Sequence, residues 1–470
     1  MEKSSNKKIE LKYFGTDGFR GEYGKELTDT AAEAIGRFLG IHYGKEEADI
    51  LIGQDTRISS PRLEAAIVRG IRSAGGTAYL LGVCPTPAVS FLTKHGGADA
   101  AVMITASHNP ARDNGIKIFD ENGEKLSDEI TAICEKFIDE KSDADEKDEG
   151  FAKAEINGNG GGLVETDSNE KGGRFVNVQH GIMIWEKEIA SSIDSLKGLK
   201  IGLDCANGAT YKSAARVFKK LGAEVYTMGC EPDGENINLG VGSTHPEALS
   251  KMVKEHFLDM GFAFDGDGDR CIAVDHRGEI IDGDGEMLIL ARAMKARGEL
   301  RGEVVVCTVM SNGGFIRELE NIGVKCLTTT VGDRFVSERM KATGASLGGE
   351  QSGHIIFSDR GGDGVYTALR LAMEVVRSGK SLSELLGDMT KFPQMTRNVR
   401  VRDKAAVMQD KEICDKVSSI SEEIRGSGRI LLRPSGTEDL IRIMVEHENS
   451  EKCKQYLEII GNMIKERWEI

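Results

Sequence analysis

Short apolar runs alternate with longer amphipathic stretches through most of this chain. Residues 49–52, 77–83 and 98–104 read as buried strands, and 61–74 reads as a helix with Pro61 in its opening turn. The theme returns at 199–203, 224–228, 260–264, 303–308 and 325–329. Strands alternating with helices predict parallel sheets flanked by helices. Similar strand–loop–helix units near residues 50, 200 and 303 point to repetition of one α/β unit. Two regions break the pattern. Residues 138–173 are polar, acidic and glycine-rich, and read as a surface excursion or linker. Beyond about residue 391, strands and helices continue without βαβ order, which predicts an α+β domain.

These changes divide the 470 residues into an α/β domain at 1–150, a glycine-rich linker at 151–173, α/β domains at 174–277 and 278–390, and an α+β domain at 391–470. The 76 Asp and Glu residues against 61 Lys and Arg give a net charge of −15. That argues against nucleic-acid and anionic-membrane partners, and a phosphate ligand would need a local basic site working against this field. No stretch approaches the ~18 apolar residues of a membrane span. Residues 1–8 have no apolar core of a signal peptide behind them. The nine cysteines form no CxxC pair and lie mostly in apolar runs, so buried reduced thiols in a cytoplasmic protein are expected.

Candidate chemistry sits in polar loops that follow apolar runs. The run 98–104 stops at Thr105-Ala106-Ser107-His108-Asn109-Pro110, with Asp113-Asn114-Gly115-Ile116-Lys117 behind it. A serine, a histidine and a lysine are thus expected just past a strand's carboxyl end, where open α/β sheets place ligands. Asp265-Gly266-Asp267-Gly268-Asp269-Arg270 follows the run 260–264. Alternating carboxylates in a glycine-bearing turn can converge on a hard divalent cation. An EF-hand is excluded, because the sixth and twelfth positions from Asp265 hold Arg270 and His276 instead of Gly and Glu. Three carboxylates leave positions on a Mg²⁺ open for a phosphate oxygen and water, and Arg270 could grip the same phosphate.

Gly348-Gly349-Glu350-Gln351-Ser352-Gly353-His354 clears space for a ligand, and Glu350, Ser352 and His354 offer hydrogen-bonding groups suited to a polyol or sugar. Arg433-Pro434-Ser435-Gly436-Thr437-Glu438 combines a guanidinium, two hydroxyls and a glycine backbone into an anion cradle. The glycine-rich segment 14–21 adds Arg20, and 331–334 adds Arg334 near the sugar-type loop in sequence. Several of these loops, taken alone, match ordinary surface turns. Together they supply a serine nucleophile, a divalent-metal site, a hydroxyl reader and a phosphate clamp, the set that reversible phosphoryl transfer on a phosphosugar requires.

In this order and spacing, TASHNP with DNGIK, DGDGDR, GEQSGH and RPSGTE resemble the α-D-phosphohexomutase superfamily over essentially the whole chain. Within it, the FGTDGFRG start, Gln351 and the RPSGTED ending are most similar to the bacterial phosphoglucosamine mutase branch. Thr105 and Asp439 stand where that branch often has serine and proline. The resemblance implies three related α/β domains with mixed or parallel sheets, and a C-terminal α+β domain, around a central cleft. It implies Ser107 as a phosphoserine and Asp265, Asp267 and Asp269 as ligands of one Mg²⁺ per chain, with the phosphate on Ser107 completing the shell. Glu350 and Ser352 would contact sugar hydroxyls, with Arg334 a further substrate cation. Arg433, Ser435, Gly436 and Thr437 would hold the non-reacting phosphate. Lys117, Arg20 and His354 would face the transferring group, with Lys117 an acid/base candidate if its pKa is lowered, and His108 and Arg270 in support. The implied reaction interconverts glucosamine 6-phosphate and glucosamine 1-phosphate through a hexose 1,6-bisphosphate that also serves as activator. A phosphomannomutase or phosphoglucomutase with the same machinery is the alternative. The partner is a phosphosugar, the protein a cytoplasmic monomer or homodimer, and residues 380–396 a candidate hinge.

Overall fold

The alternation resolves into four sheets in the computed structural model, which describes residues 9, 11–44, 47–145, 173–435 and 439–469. The first sheet contains β1 (Phe14–Gly15), β2 (Gly18–Glu22), β3 (Asp49–Gln54), β4 (Thr77–Val83), β5 (Ala100–Ile104), β6 (Asp113–Asp120) and β7 (Phe175–Asn177), in the order β1-β2-β6-β5-β3-β4-β7. The second contains β8 (Lys200–Asp204), β9 (Glu224–Met228), β10 (Met260–Phe264), β11 (Cys271–Asp275) and β12 (Ile280–Ile281), in the order β12-β11-β10-β8-β9. The third contains β13 (Val304–Thr308), β14 (Lys325–Thr329), β15 (Leu347–Gly349), β16 (Ile355–Phe357) and β17 (Gly361–Gly362), in the order β14-β13-β15-β16-β17.

The three orders are one motif repeated. β3 pairs in parallel with β4 and β5, and β5 pairs antiparallel with β6. β8 pairs in parallel with β9 and β10, and β10 antiparallel with β11. β13 pairs in parallel with β15, and β15 antiparallel with β16. The sheets are therefore mixed, where strand–helix alternation alone predicts parallel ones. The reason is length: the connection between β5 and β6 is too short for a helical crossover, so the chain must return antiparallel. β5 and β10 are buried at every position, as strands covered on both faces must be, which is why they read as continuous apolar runs. Helices Asp29–Tyr43 and Ser60–Ser73 share a core with the first sheet through Ile35, Phe38, Leu39, Ile67 and Ile71, all fully buried.

Residues up to Val309 together with Leu327–Leu386 form one compact unit. The second unit consists of Met310–Cys326 and the chain from Gly387 onward, so the division at 386/387 falls inside the stretch 380–396. The second unit holds the fourth sheet, β18 (Gln394–Arg400), β19 (Gly428–Pro434) and β20 (Leu440–His447), antiparallel in the order β18-β20-β19. Helices Lys411–Glu423 and Ser450–Trp468 close its core over Ile441, Ile443 and Val445. This is an α+β arrangement. The polar stretch 138–173 begins as the last turns of helix Asp128–Asp145, not as an excursion, and 146–172 lie outside the described residues. Cys84, Cys134, Cys205, Cys271, Cys307 and Cys453 are buried, and Cys230, Cys326 and Cys414 are partly buried. Among the described residues no helix is long and apolar enough to cross a membrane.

Candidate functional site

In each repeated sheet, one chemistry-bearing loop joins the last parallel strand to its antiparallel neighbour. Residues 105–112 join β5 to β6, 265–270 join β10 to β11, and 350–354 join β15 to β16. Ser107 is 1% exposed and sits at φ 51°. The left-handed region disfavours a serine by ~1–2 kcal/mol, so this loop must be held. The fully buried side chain of Arg57 holds it. Its Nη2 donates to the carbonyls of Ser107 and Asn109 at 3.0 and 2.9 Å, and its Nη1 to those of Asp113, at 2.9 Å, and Pro110. Its Nε donates to Asp55 Oδ2 at 2.9 Å. Asn238 Nδ2 reaches the same Ser107 and Asn109 carbonyls at 2.9 and 3.1 Å. Gly266 is required where the two loops meet, because the Ser107 carbonyl oxygen lies 2.5 Å from the place a Cβ would take.

Ser107 Oγ donates to Asp265 Oδ2 at 2.5 Å, and His108 Nδ1 lies 3.4 Å from the same Oγ. The carboxylates of Asp265, Asp267 and Asp269 are all buried, with oxygens within 4.8 Å of one another. Lys117 Nζ donates to Asp267 Oδ2 at 2.6 Å and Asp269 Oδ2 at 3.1 Å. Lys117 does not lie in a loop past a strand end, as its segment's polarity implies. It lies within β6, opposite Met103 of β5. Thr86 Oγ1 donates to Asp267 Oδ2 at 2.5 Å. Arg270 Nε is 3.9 Å from Asp265 and 4.0 Å from Asp269. His354 Nδ1 is 3.6 Å from Asp269 Oδ1, and its Nε2 is 3.9 Å from Asp333 Oδ2. Arg20, on β2, lies opposite Gly115 of β6, with Nη1 4.0 Å from Asp17.

The fields inside this cluster are strong because water is excluded. Burial, then Asp269 and Asp267, push Asp265 well above its ordinary range. Burial pushes the same way on Asp269, but Lys117 and His354 overcome it and hold that carboxyl well below. Burial opposes the charge on Lys117, yet Asp267 and Asp269 outweigh it and raise its pKa, so Lys117 is an ammonium. The lowered lysine pKa that a general base would need is not what this environment produces. Burial likewise opposes charge on His354, but Asp269 and Asp333 carry its pKa up to about 9. His108 goes the other way, pulled down to about 4 by burial, Arg270 and Arg20. Asp267 Oδ1 and Asp269 Oδ1 are buried without a hydrogen-bond donor. Buried acceptors of this kind are costly unless paired. Three convergent hard oxygen donors fit a small divalent cation.

Glu350 Oε1 accepts from the Gly332 N–H at 3.1 Å, and the Glu350 N–H donates to the His354 carbonyl at 3.1 Å. Ser352 is exposed at the tip of its loop. The Arg334 guanidinium is engaged by Asp128 and by Glu338 at 2.9 Å, so it is not brought to the carboxylates; its neighbour Asp333 faces His354 instead. In the second unit, Arg433 on β19 stands opposite Arg442 on β20, and burial together with Arg442 lowers its pKa. Lys404 Nζ donates to the Ser435 carbonyl at 3.1 Å. Gly436 and Thr437 lie outside the described residues. Sequence reading passes over Arg57, Thr86, Asn238, Asp333, Lys404 and Arg442. Two of them left a signal. Arg57 follows the apolar run of β3 with Asp55, as the other chemistry-bearing loops follow theirs, and Arg442 interrupts the apolar run 440–445 of β20.

Profiles of the phosphoglucomutase/phosphomannomutase family match four parts of the chain: α/β/α domain I at 11–145, domain II at 183–278, domain III at 282–392 and the C-terminal domain at 397–461. The chain is 48% identical to the phosphoglucosamine mutase of Geobacillus kaustophilus over 460 residues, 97% of this chain and 98% of that protein. It is 47% identical to the phosphoglucosamine mutase of Bacillus subtilis over 458 residues, again 97% and 98%. A phosphoglucomutase/phosphomannomutase family protein from Burkholderia thailandensis shares the fold at TM-score 0.77 and 24% identity, over 97% of this chain and 99% of that one. The N-acetylphosphoglucosamine mutase of Aspergillus fumigatus, solved with GlcNAc-6P and magnesium, does so at TM-score 0.65 and 17% identity, over 97% and 96%.

Proposed function

Since the chain belongs to the phosphoglucomutase/phosphomannomutase family of the α-D-phosphohexomutase superfamily, we propose that it interconverts glucosamine 6-phosphate and glucosamine 1-phosphate in the cytoplasm by phosphoryl transfer through Ser107. The observation that carries the chemistry is a strained, buried serine hydroxyl bonded into a three-carboxylate cluster that a lysine already engages. The amino sugar is supported by curated relatives named phosphoglucosamine mutase at 47–48% identity over nearly the whole chain.

The reaction starts with the phosphoryl group on Ser107 Oγ. A free hydroxyl of the hexose monophosphate attacks phosphorus, its proton passes to an oxygen of the transferring phosphoryl group, the P–Oγ bond breaks, and a 1,6-bisphosphate forms. Such a transfer is mainly positioning and charge neutralisation. Lys117, Arg20, Arg270 and the charged His354 supply cations around the phosphoryl oxygens. Lys117, held as an ammonium, gives a proton to the departing Ser107 Oγ. The bisphosphate turns over in the site and the second half-reaction runs backwards. Ser107 attacks the other phosphate, and its proton, already hydrogen-bonded to Asp265, passes into the Asp265–Asp267–Lys117 array. Asp265, Asp267 and Asp269 would hold a Mg²⁺, with phosphorylated Ser107 completing the set, and the cation would neutralise charge on the transferring group. Glu350 and Ser352 take the sugar hydroxyls, and Arg433 and Ser435 take the phosphate that is not reacting.

Steady-state kcat/KM for glucosamine, mannose and glucose phosphates, with Mg²⁺ and bisphosphate activator present, tests the reading. A preference of ~100-fold for glucosamine phosphate, about 2.7 kcal/mol of discrimination, is expected. Equal or better rates on mannose or glucose phosphate would make the protein a general phosphohexomutase.

A further inference from the structure

Helix Asp333–Thr343 and the segment 124–128 face each other with alternating charge. Lys341 pairs with Glu124, Lys125 with Asp333, and Arg334 with Asp128. The outer two pairs join more exposed side chains, a kind of contact that contributes little to stability. The central pair differs. Lys125 Nζ donates to both Asp333 oxygens, at 2.9 and 2.8 Å, and to the Thr16 carbonyl at 2.9 Å. All three ammonium donors are therefore used, and the two side chains are only 24% and 20% exposed.

From this pair, two links run to the residues that face the substrate. Asp333 Oδ2 lies 3.9 Å from His354 Nε2. Gly332, immediately before Asp333, donates its N–H to Glu350 Oε1 at 3.1 Å. On the other side, Thr16 belongs to the turn that leads into β2 and Arg20, and Lys125 follows β6, which carries Lys117. One ammonium thus ties the serine-bearing sheet to the loop that fixes the sugar reader.

We propose that Lys125 is a positioning residue for substrate recognition: by clamping Asp333 to the Thr16 carbonyl it sets the backbone of Gly332, and through it the orientation of the Glu350 carboxylate. Lys125 itself touches neither sugar nor phosphoryl group. The inference rests on the reading of Glu350 as a sugar-hydroxyl contact. A carboxylate left free to rotate must be ordered on binding, whereas a preset one need not be. Because that contact is made before and during transfer, its loss falls on KM more than on kcat.

The test is a set of steady-state measurements with glucosamine phosphate on Lys125→Met, Lys125→Arg, Lys341→Met and Glu350→Gln, each with its melting temperature. Lys125→Met should raise KM about tenfold with kcat within about twofold. Lys125→Arg, which can still grip a carboxylate and a carbonyl, should recover most of that loss. Lys341→Met, which removes only an outer rung, should leave KM unchanged. Glu350→Gln should raise KM, and combining it with Lys125→Met should add less than the sum of the two effects. An unchanged KM in Lys125→Met beside a raised KM in Glu350→Gln overturns the positioning role, as does an equal KM rise in Lys341→Met. A lowered melting temperature with unchanged KM in Lys125→Met reduces the clamp to a purely structural contact and also overturns it. An unchanged KM in Glu350→Gln removes the reading beneath the proposal, and the proposal with it.

Discussion

Arg57→Lys keeps a buried cation beside Asp55 but removes the fork that holds the serine loop. The guanidinium bonds to Asp55 and to the carbonyls of Ser107, Asn109, Pro110 and Asp113. That uses all five of its N–H donors, whereas an ammonium offers three from a single point. At least two bonds are therefore lost. At ~1.5–3 kcal/mol for a hydrogen bond to a charged group, the gross loss is about 3–6 kcal/mol, and water entering the gap reduces it to ~3 kcal/mol. This exceeds the ~1–2 kcal/mol of strain stored at Ser107. The loop then relaxes, and Oγ leaves its place 2.5 Å from Asp265. A shift of ~1 Å at a reacting atom lowers the rate about 100-fold. The expected result is a ~100-fold fall in single-turnover transfer from phosphorylated Ser107, with a lowered urea midpoint. Asn238 shares two of the carbonyls, so adding Asn238→Leu should cost ~1 kcal/mol beyond additivity. A rate within about threefold of the parent, at an unchanged midpoint, would refute the argument, because a displacement of ~1 Å would then have had no consequence.

His354 carries a pH signature in the metal-free protein. Its pKa rises on folding from 6.5 to about 9, so its charge adds stability fully present below pH 6.5 and lost as pH climbs through 9. The amount is on the order of 3 kcal/mol, and His354→Gln should flatten that part of the urea-midpoint profile. Asp267→Asn removes one of three convergent carboxylates and a partner of both Lys117 and Thr86. It should abolish the rise in melting temperature that Mg²⁺ gives the parent, which at 100 times the dissociation constant is about 2.7 kcal/mol of stabilisation. Arg442→Ala should raise KM for the sugar phosphate several-fold at nearly constant kcat, since an anion held by Arg433 and Arg442 is held throughout the reaction.

The strands 224–228, 260–264 and 325–329 were legible to the residue, the middle one because its apolar run is closed on both sides by Asp259 and Asp265. The loops were legible for a related reason. Polar residues directly after a buried strand must serve something, and three such loops occupy the same place in three copies of one sheet motif. The antiparallel partner strand was not legible. β6 reads as polar, yet Asn114 and Lys117 are buried within it, their polar groups satisfied by Ser59, Ser60, Asp267 and Asp269. Arg57 stands after the apolar run of β3, but nothing in the spacing of Arg57 or Asn238 shows which backbone they hold, because those carbonyls lie far along the chain. The state of Lys117 also needed geometry. Composition cannot say whether burial or two carboxylates decides its pKa, and here the carboxylates do.

The central claim is that Ser107 carries the transferring phosphoryl group, and rapid-quench chemistry tests it most directly. Protein radiolabelled at Ser107 would be mixed with glucosamine 6-phosphate and Mg²⁺, and the label followed in protein, bisphosphate, glucosamine 1-phosphate and inorganic phosphate. The account predicts that label leaves Ser107 for the bisphosphate at least as fast as steady-state turnover, then appears in the monophosphates, and that Ser107→Ala neither takes up label nor turns over. Label released mainly as inorganic phosphate, or turnover retained in Ser107→Ala, would contradict it.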